Sequence, residues 1–278
     1  MKQVDKIIST ISFEEANQII KFQDIYKIMS GNPNDKFAIV LKKKLILLVG
    51  LFLPLIAVII YVQSNNDPSI STISKIIASF SELIIIALML FFFLKTSAKF
   101  LEYYSYKNFC YMFGKLIYIS YFCAGLGMDN GNYLTTIIPI FLCLVVFISL
   151  YYKIEKNIVM DEINKLFKRE YKTSTLLTTM LKLSGVVVVV IIVGMQLYRL
   201  NKSWLKGFIE NSDVLNTNAT ISDIVGIFIG IPLLMIITLI PTFFLFDANL
   251  YMKGKIIKQY SEEFRQEYDF TKEEWYGE

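Results

Sequence analysis

The sequence predicts an all-α polytopic membrane protein, and three observations carry that reading. First, Leu45 to Val62 holds no charged residue, and a bilayer's hydrocarbon core needs about 20 apolar residues of helix. Second, 55% of the 278 residues are hydrophobic and the mean hydropathy is +0.51, well above the usage of an ordinary soluble domain. Third, the basic residues collect at one end of each apolar run, as cytoplasmic flanks do.

The first span is read as 45–62, with Lys42, Lys43 and Lys44 before it and a polar stretch, 63–67, after it. Those lysines place the N-terminus in the cytosol. Residues 1–40 form a cytosolic amphipathic region. Ser12 and Glu15 are spaced as a capping box, which satisfies free N–H groups at a helix start. Ile19, Phe22, Tyr26 and Met29 then share a stripe, fitted either to the membrane surface or to other cytosolic helices. Gly31 and Pro33 end this helix. Asp35 is placed to cap a second helix that runs into the first span, with Pro54 a kink point.

Five further spans are expected at about 76–94, 109–128, 133–152, 183–200 and 223–246. The third is short in clean apolar residues. It crosses if Lys115 snorkels to the inner surface, and a re-entrant segment is the alternative. Between the fourth and fifth spans, 153–182 is a cytosolic helical loop, with Val159, Ile163, Leu166, Phe167 and Tyr171 on one apolar face. The tail, 247–278, carries a similar stripe at Ile257, Tyr260, Phe264 and Tyr268. With this layout, 24 of the 28 Lys and Arg fall in cytosolic segments. Six transmembrane helices with both termini cytoplasmic therefore satisfy the positive-inside rule. The expected location is a bacterial plasma membrane, the organism type resting on heavy use of Ile, Lys and Asn.

The chain contains no histidine. That removes His-dependent catalysis and the usual zinc spheres, and no metal site or cofactor is expected. Cys110, Cys123 and Cys143 form no CxxC pair and read as small buried hydrophobes. No phosphate-binding glycine loop and no nucleophile–base arrangement stands out, so no catalytic residue is assigned. A net charge of +4 does not call for nucleic acid.

Glu82 is the acidic residue well inside a span. Charge in a membrane is costly, so such a residue is a functional candidate by default. Lys75 and Ser79 fall on its helix face. Gln196 and Arg199, at the outer end of the fifth span, are placed to join it. Together they define a polar site near the outer face, with a structural polar contact as the plainer alternative. Gly226 and Gly230 form a GxxxG that lets another helix approach. Pro232, directly after, marks a break in that helix.

Six spans, cytosolic termini and amphipathic cytosolic helices are similar in layout to the membrane subunits of ABC-2 type exporters. The likeness implies a permease whose cytosolic helices dock on an ATPase. The residues themselves favour a non-enzymatic protein that binds a peptide or protein partner in or at the bilayer, of the immunity or secretion-accessory type. Its expected partners are the lipid bilayer, a peptide or protein toxin, and a second copy of the chain. A cytosolic ATPase belongs to the permease alternative.

Overall fold

The computed structural model describes residues 2–30, 36–63, 72–96, 100–126, 133–190 and 236–276. All regular structure among them is helical. Twelve helices are described: α1 (Lys2–Ile8), α2 (Phe13–Ile19), α3 (Phe22–Ser30), α4 (Lys36–Gln63), α5 (Thr72–Lys95), α6 (Glu102–Leu126), α7 (Tyr133–Phe167), α8 (Thr175–Val190), α9 (Ile240–Leu245), α10 (Ala248–Gln259), α11 (Ser261–Glu267) and α12 (Lys272–Tyr276). They fall into two compact units, one made of 1–173 with 245–278 and the other of 174–244.

Among the described residues, two helices are long and apolar enough to cross a membrane: Ile39–Gln63 within α4, and α5. A third is added if Ile236–Leu245 and Ala248–Gln259 are taken as one bent span. These agree with the first two spans read from the sequence, and α5 starts four residues earlier than the expected 76. α4 begins at Lys36 and continues through Pro54. A proline is tolerated there because neighbouring helices and local adjustments re-satisfy the freed backbone group.

In the larger unit, α4, α5 and α6 pack together as a bundle. Adjacent helices in sequence run antiparallel. Lys43 Nζ donates to the Thr96 carbonyl at 2.9 Å, fixing the start of α4 beside the end of α5. Phe93 meets Phe109 with ring centres 6.0 Å apart. The same register, eleven residues further along both helices, brings Glu82 to Ser120. Gly50 is buried where α4 meets α6, and a Cβ there would come within 2.7 Å of the Phe113 ring. The outer faces of α4 and α5 stay apolar: Leu48, Phe52, Phe80 and Leu94 are 65–81% exposed. Such continuous apolar surface suits lipid and not water.

The second part of this unit is a polar-faced layer with its own core. Val4, Ile8 and Ile11 from the N-terminus, Val159, Met160 and Ile163 from α7, and Met252, Ile256, Phe264 and Trp275 from the tail are buried in one cluster. The first thirty residues and the last thirty thus share a core with the end of α7 and the start of α6. Ion pairs tie the rim: Lys253 to Asp24 at 2.9 Å and Lys255 to Asp5 at 2.8 Å. Arg169 reaches Glu15 at 3.0 Å and the Thr10 hydroxyl at 2.8 Å. The N-terminal helices pack on other helices of this layer.

The capping box at Ser12 and Glu15 is present, with both reciprocal bonds made. The helix it starts stops sooner than the spacing implies. Ile20 is extended, and the Lys21 amide is taken by the Asp24 carboxylate at 3.2 Å, so α3 starts afresh at Phe22. That break resets the helical register. The buried positions are Ile20, Ile25, Ile28 and Met29, while Phe22 and Tyr26 are 48% and 40% exposed. The apolar face expected on 153–182 does form: Val159 and Ile163 are buried, and Leu166, Phe167 and Tyr171 pack on the same core. In the tail, Ile257 and Phe264 are buried, flanked by Tyr260 and Tyr268.

α7 is one helix of 35 residues. It joins the stretch expected as the fourth span to the first half of the loop read as cytosolic. α6 is likewise continuous over 25 residues, about 37 Å at 1.5 Å per residue. In the smaller unit, α8 and α9 meet at Gly185, where a Cβ would lie 2.6 Å from the Phe243 ring.

Candidate functional site

The buried face of α5 is read off its spacing. Lys75, Ala78, Glu82, Ile85 and Met89 are buried, three or four residues apart as one helical stripe requires, with Ser74 buried beside Lys75. Lys75 is 3% exposed and Glu82 is 0% exposed. Ser79 lies beside this stripe and is half-buried. Because α5 begins at Thr72, Glu82 sits ten residues into a 24-residue helix, close to its middle and about 15 Å along its axis. That is deeper than the sequence boundary at 76 implies. Gln196, Arg199, Gly226, Gly230 and Pro232 lie outside the described residues.

The partner of Glu82 is Ser120, a residue the sequence reading did not single out. Ser120 Oγ donates to Glu82 Oε2 at 2.6 Å, and Ser120 is 0% exposed. Tyr61 from α4 and Cys123 from α6, 2% and 4% exposed, lie near it. Glu82 Oε1 and Ser74 Oγ are buried with no hydrogen-bond partner among the described residues. An unsatisfied buried polar atom costs about 1–3 kcal/mol. The site is therefore a carboxyl group enclosed by three helices with one oxygen unanswered. Ser120 carries no sequence signal of its own. Only the antiparallel register of α5 and α6 brings it to Glu82.

A second buried polar contact lies further along α6, towards α7. Lys115 Nζ and Glu155 Oε1 are 2.6 Å apart, with side-chain exposures of 16% and 5%. Tyr111 donates to the same oxygen at 2.7 Å, and its ring centre is 4.4 Å from Lys115 Nζ. Lys115 is thus paired with Glu155 of α7.

No group of three or more His, Cys, Asp or Glu is placed to hold a metal among the described residues. Cys110 is half-buried and Cys123 buried, both as free thiols. No family model, no curated protein and no solved structure matches the chain. What its own residues define is a class. It is all-helical where described, with two helices, or three counting the bent pair, able to span a membrane, consistent with a membrane protein.

Proposed function

We propose that this chain is a non-enzymatic, multi-pass membrane protein that binds a peptide or protein partner in or at the bilayer. It has six spans and both termini are in the cytosol. The α4, α5 and α6 bundle is its receptor element. The observation that carries this reading is Glu82: a carboxyl group buried mid-helix, with one oxygen answered by Ser120 and the other by nothing described. A chain selected for stability alone would place an apolar residue there, since intramembrane ionisable groups are expensive. A partner helix entering the bundle with a donor for Oε1 would satisfy it. The reading as a binder and not a catalyst is supported by the burial of Glu82 and Ser120, both 0% exposed among apolar helices.

The six-span layout is supported by sequence and helix continuity together. Tyr133 to Tyr152 within α7 carries no charge, and 24 of the 28 basic residues fall on the cytosolic side of this layout. Photo-crosslinking tests the function. A photoreactive residue replaces Ser79 or Ile86, both half-buried positions flanking the Glu82 stripe of α5, in cells of the source organism. Capture of a defined peptide, lost in Glu82→Leu and kept in Glu82→Gln, supports the reading. Correct insertion with no crosslinked peptide overturns it.

A second reading, the permease subunit of an exporter of peptides or lipids, is favoured by the folded terminal layer. A layer with its own hydrophobic core, continuous with α6 and α7, is a rigid platform on which an ATPase could push. Stimulated ATP hydrolysis in a co-purified complex distinguishes it from the first.

A further inference from the structure

A cavity of about 310 Å³ opens beside the junction of α5 and α6, where the α5 apolar run ends at Lys95. This volume is at the low end of the range for small-molecule sites. Phe92, Phe109 and Met112 give it an apolar side, and Ser105 and Asn108 add polar groups. Two lysines line it, Lys95 from α5 and Lys258 from α10, and both are exposed. Neither makes an ion pair among the described residues. Lys43, close by, is engaged: it donates to the Thr96 carbonyl and has Glu102 as charge neighbour.

The backbone at this cavity is held in an unusual shape. Leu101, another lining residue, is 2% exposed and has φ 52°. The left-handed region costs an L-residue roughly 1–2 kcal/mol. Such strain persists where the surroundings over-determine it, and it clusters at ligand clamps.

We propose that this cavity binds the headgroup of an anionic phospholipid from the surrounding bilayer. Its position fits the chemistry. The lysines stand where the apolar helix gives way to polar residues, which is the depth of phosphate groups. Basic pockets between membrane helices on the cytoplasmic side take anionic headgroups. The phosphate sits between Lys95 and Lys258, the glycerol side meets Ser105 and Asn108, and the first methylenes lie against Phe92 and Met112. A free phosphate would gain nothing from the apolar side, and a zwitterionic lipid would bring a cation against two lysines. The site is separate from the Glu82 cluster and does not depend on the partner-binding reading.

The test is native mass spectrometry of the full-length protein in a non-ionic detergent. Equimolar dioleoyl phosphatidylglycerol and dioleoyl phosphatidylcholine are added. The expected result is one phosphatidylglycerol retained in at least tenfold preference, undisturbed by millimolar inorganic phosphate. Each lysine facing an anionic lipid contributes about fivefold in affinity. The Lys95→Gln/Lys258→Gln protein should therefore bind roughly 30-fold more weakly. Lys44→Gln, an exposed lysine not lining the cavity, should behave as the parent. Ser105→Phe, which fills the cavity and keeps both lysines, should lose the lipid as well. Equal retention of the two lipids overturns the proposal. So does a preference that survives the double substitution, or displacement by inorganic phosphate, which would make it a free-anion site.

Discussion

Ser120 and Glu82 stand 38 residues apart in sequence and meet at 2.6 Å where neither has any exposed surface. Ser120 donates a hydrogen bond to one carboxyl oxygen, and the other oxygen has no described partner. That asymmetry makes two substitutions informative. Ser120→Ala removes the remaining donor and should cost about 1–3 kcal/mol. Glu82→Leu removes the buried carboxyl altogether and should leave the bundle as stable as the parent or more so, since apolar replacements of buried ionisable groups often do. Thermal unfolding in detergent measures both. A Glu82→Leu protein clearly less stable than the parent would make the carboxyl a structural contact.

The Lys115–Glu155 pair should behave in the opposite way. Both partners are present and close to buried, so removing one leaves an uncompensated charge. Lys115→Met is expected to cost about 3–5 kcal/mol. Lys115→Met with Glu155→Leu should recover most of that, because the stranded carboxylate goes too. A double variant as weak as the single one would show that Tyr111, which donates to the same oxygen, carries the contact instead.

Gly254 tests how α10 seats on α6. An alanine mid-helix ordinarily gains about 1 kcal/mol over glycine. Here the added Cβ would overlap the Tyr104 ring, which is 9% exposed within the packed layer. Overpacking of this kind costs about 1–3 kcal/mol, so Gly254→Ala should destabilise. Limited proteolysis of the tail, faster than in the parent, is the expected readout. Unchanged protection would mean that the ring moves aside freely.

Acid should loosen the terminal layer, and only below the usual carboxylate range. Glu15 is held below its ordinary 4.5 chiefly by the Ser12 amide, helped by Arg169. Tyr276 and Arg265 lower Glu262, and the Thr271 amide lowers Glu274. Folded values below the unfolded ones mean these contacts stabilise above the unfolded value. That contribution is lost as pH falls through the folded values. Near-ultraviolet circular dichroism from Trp275 should hold steady from pH 7 to 5 and change below about pH 4. Glu15→Gln should lessen the acid effect. Loss of signal above pH 5 would point to other groups.

The apolar helices were legible because the lipid requirement is written in length and absence of charge: 45–62 and 76–94 both lie inside observed helices. Ser12 and Glu15 were legible because a capping box is local. The amphipathic stripes were visible, but their partners were not, since nothing in Ile8 names Ile163 or Trp275 as its neighbour. The N-terminal stripe was misplaced because a side-chain cap at Asp24, which breaks the helix at Lys21, looks like any helical aspartate in sequence. Glu82 was legible as a cost. Ser120, Tyr61 and Glu155 were not, because pairing across helices depends on register, and register depends on packing. The GxxxG of the sixth expected span and the residues Gln196 and Arg199 fall outside the described residues.

The central claim is that the bilayer is this chain's solvent, threaded six times with the terminal layer in the cytosol. Reporter fusions placed after Ser64, Asn130 and Asn211, and at both ends of the full chain, measure it directly. The first three should report from outside the membrane and the two ends from the cytosol. Any one of the first three reading as cytosolic, or either terminus reading as external, would contradict it.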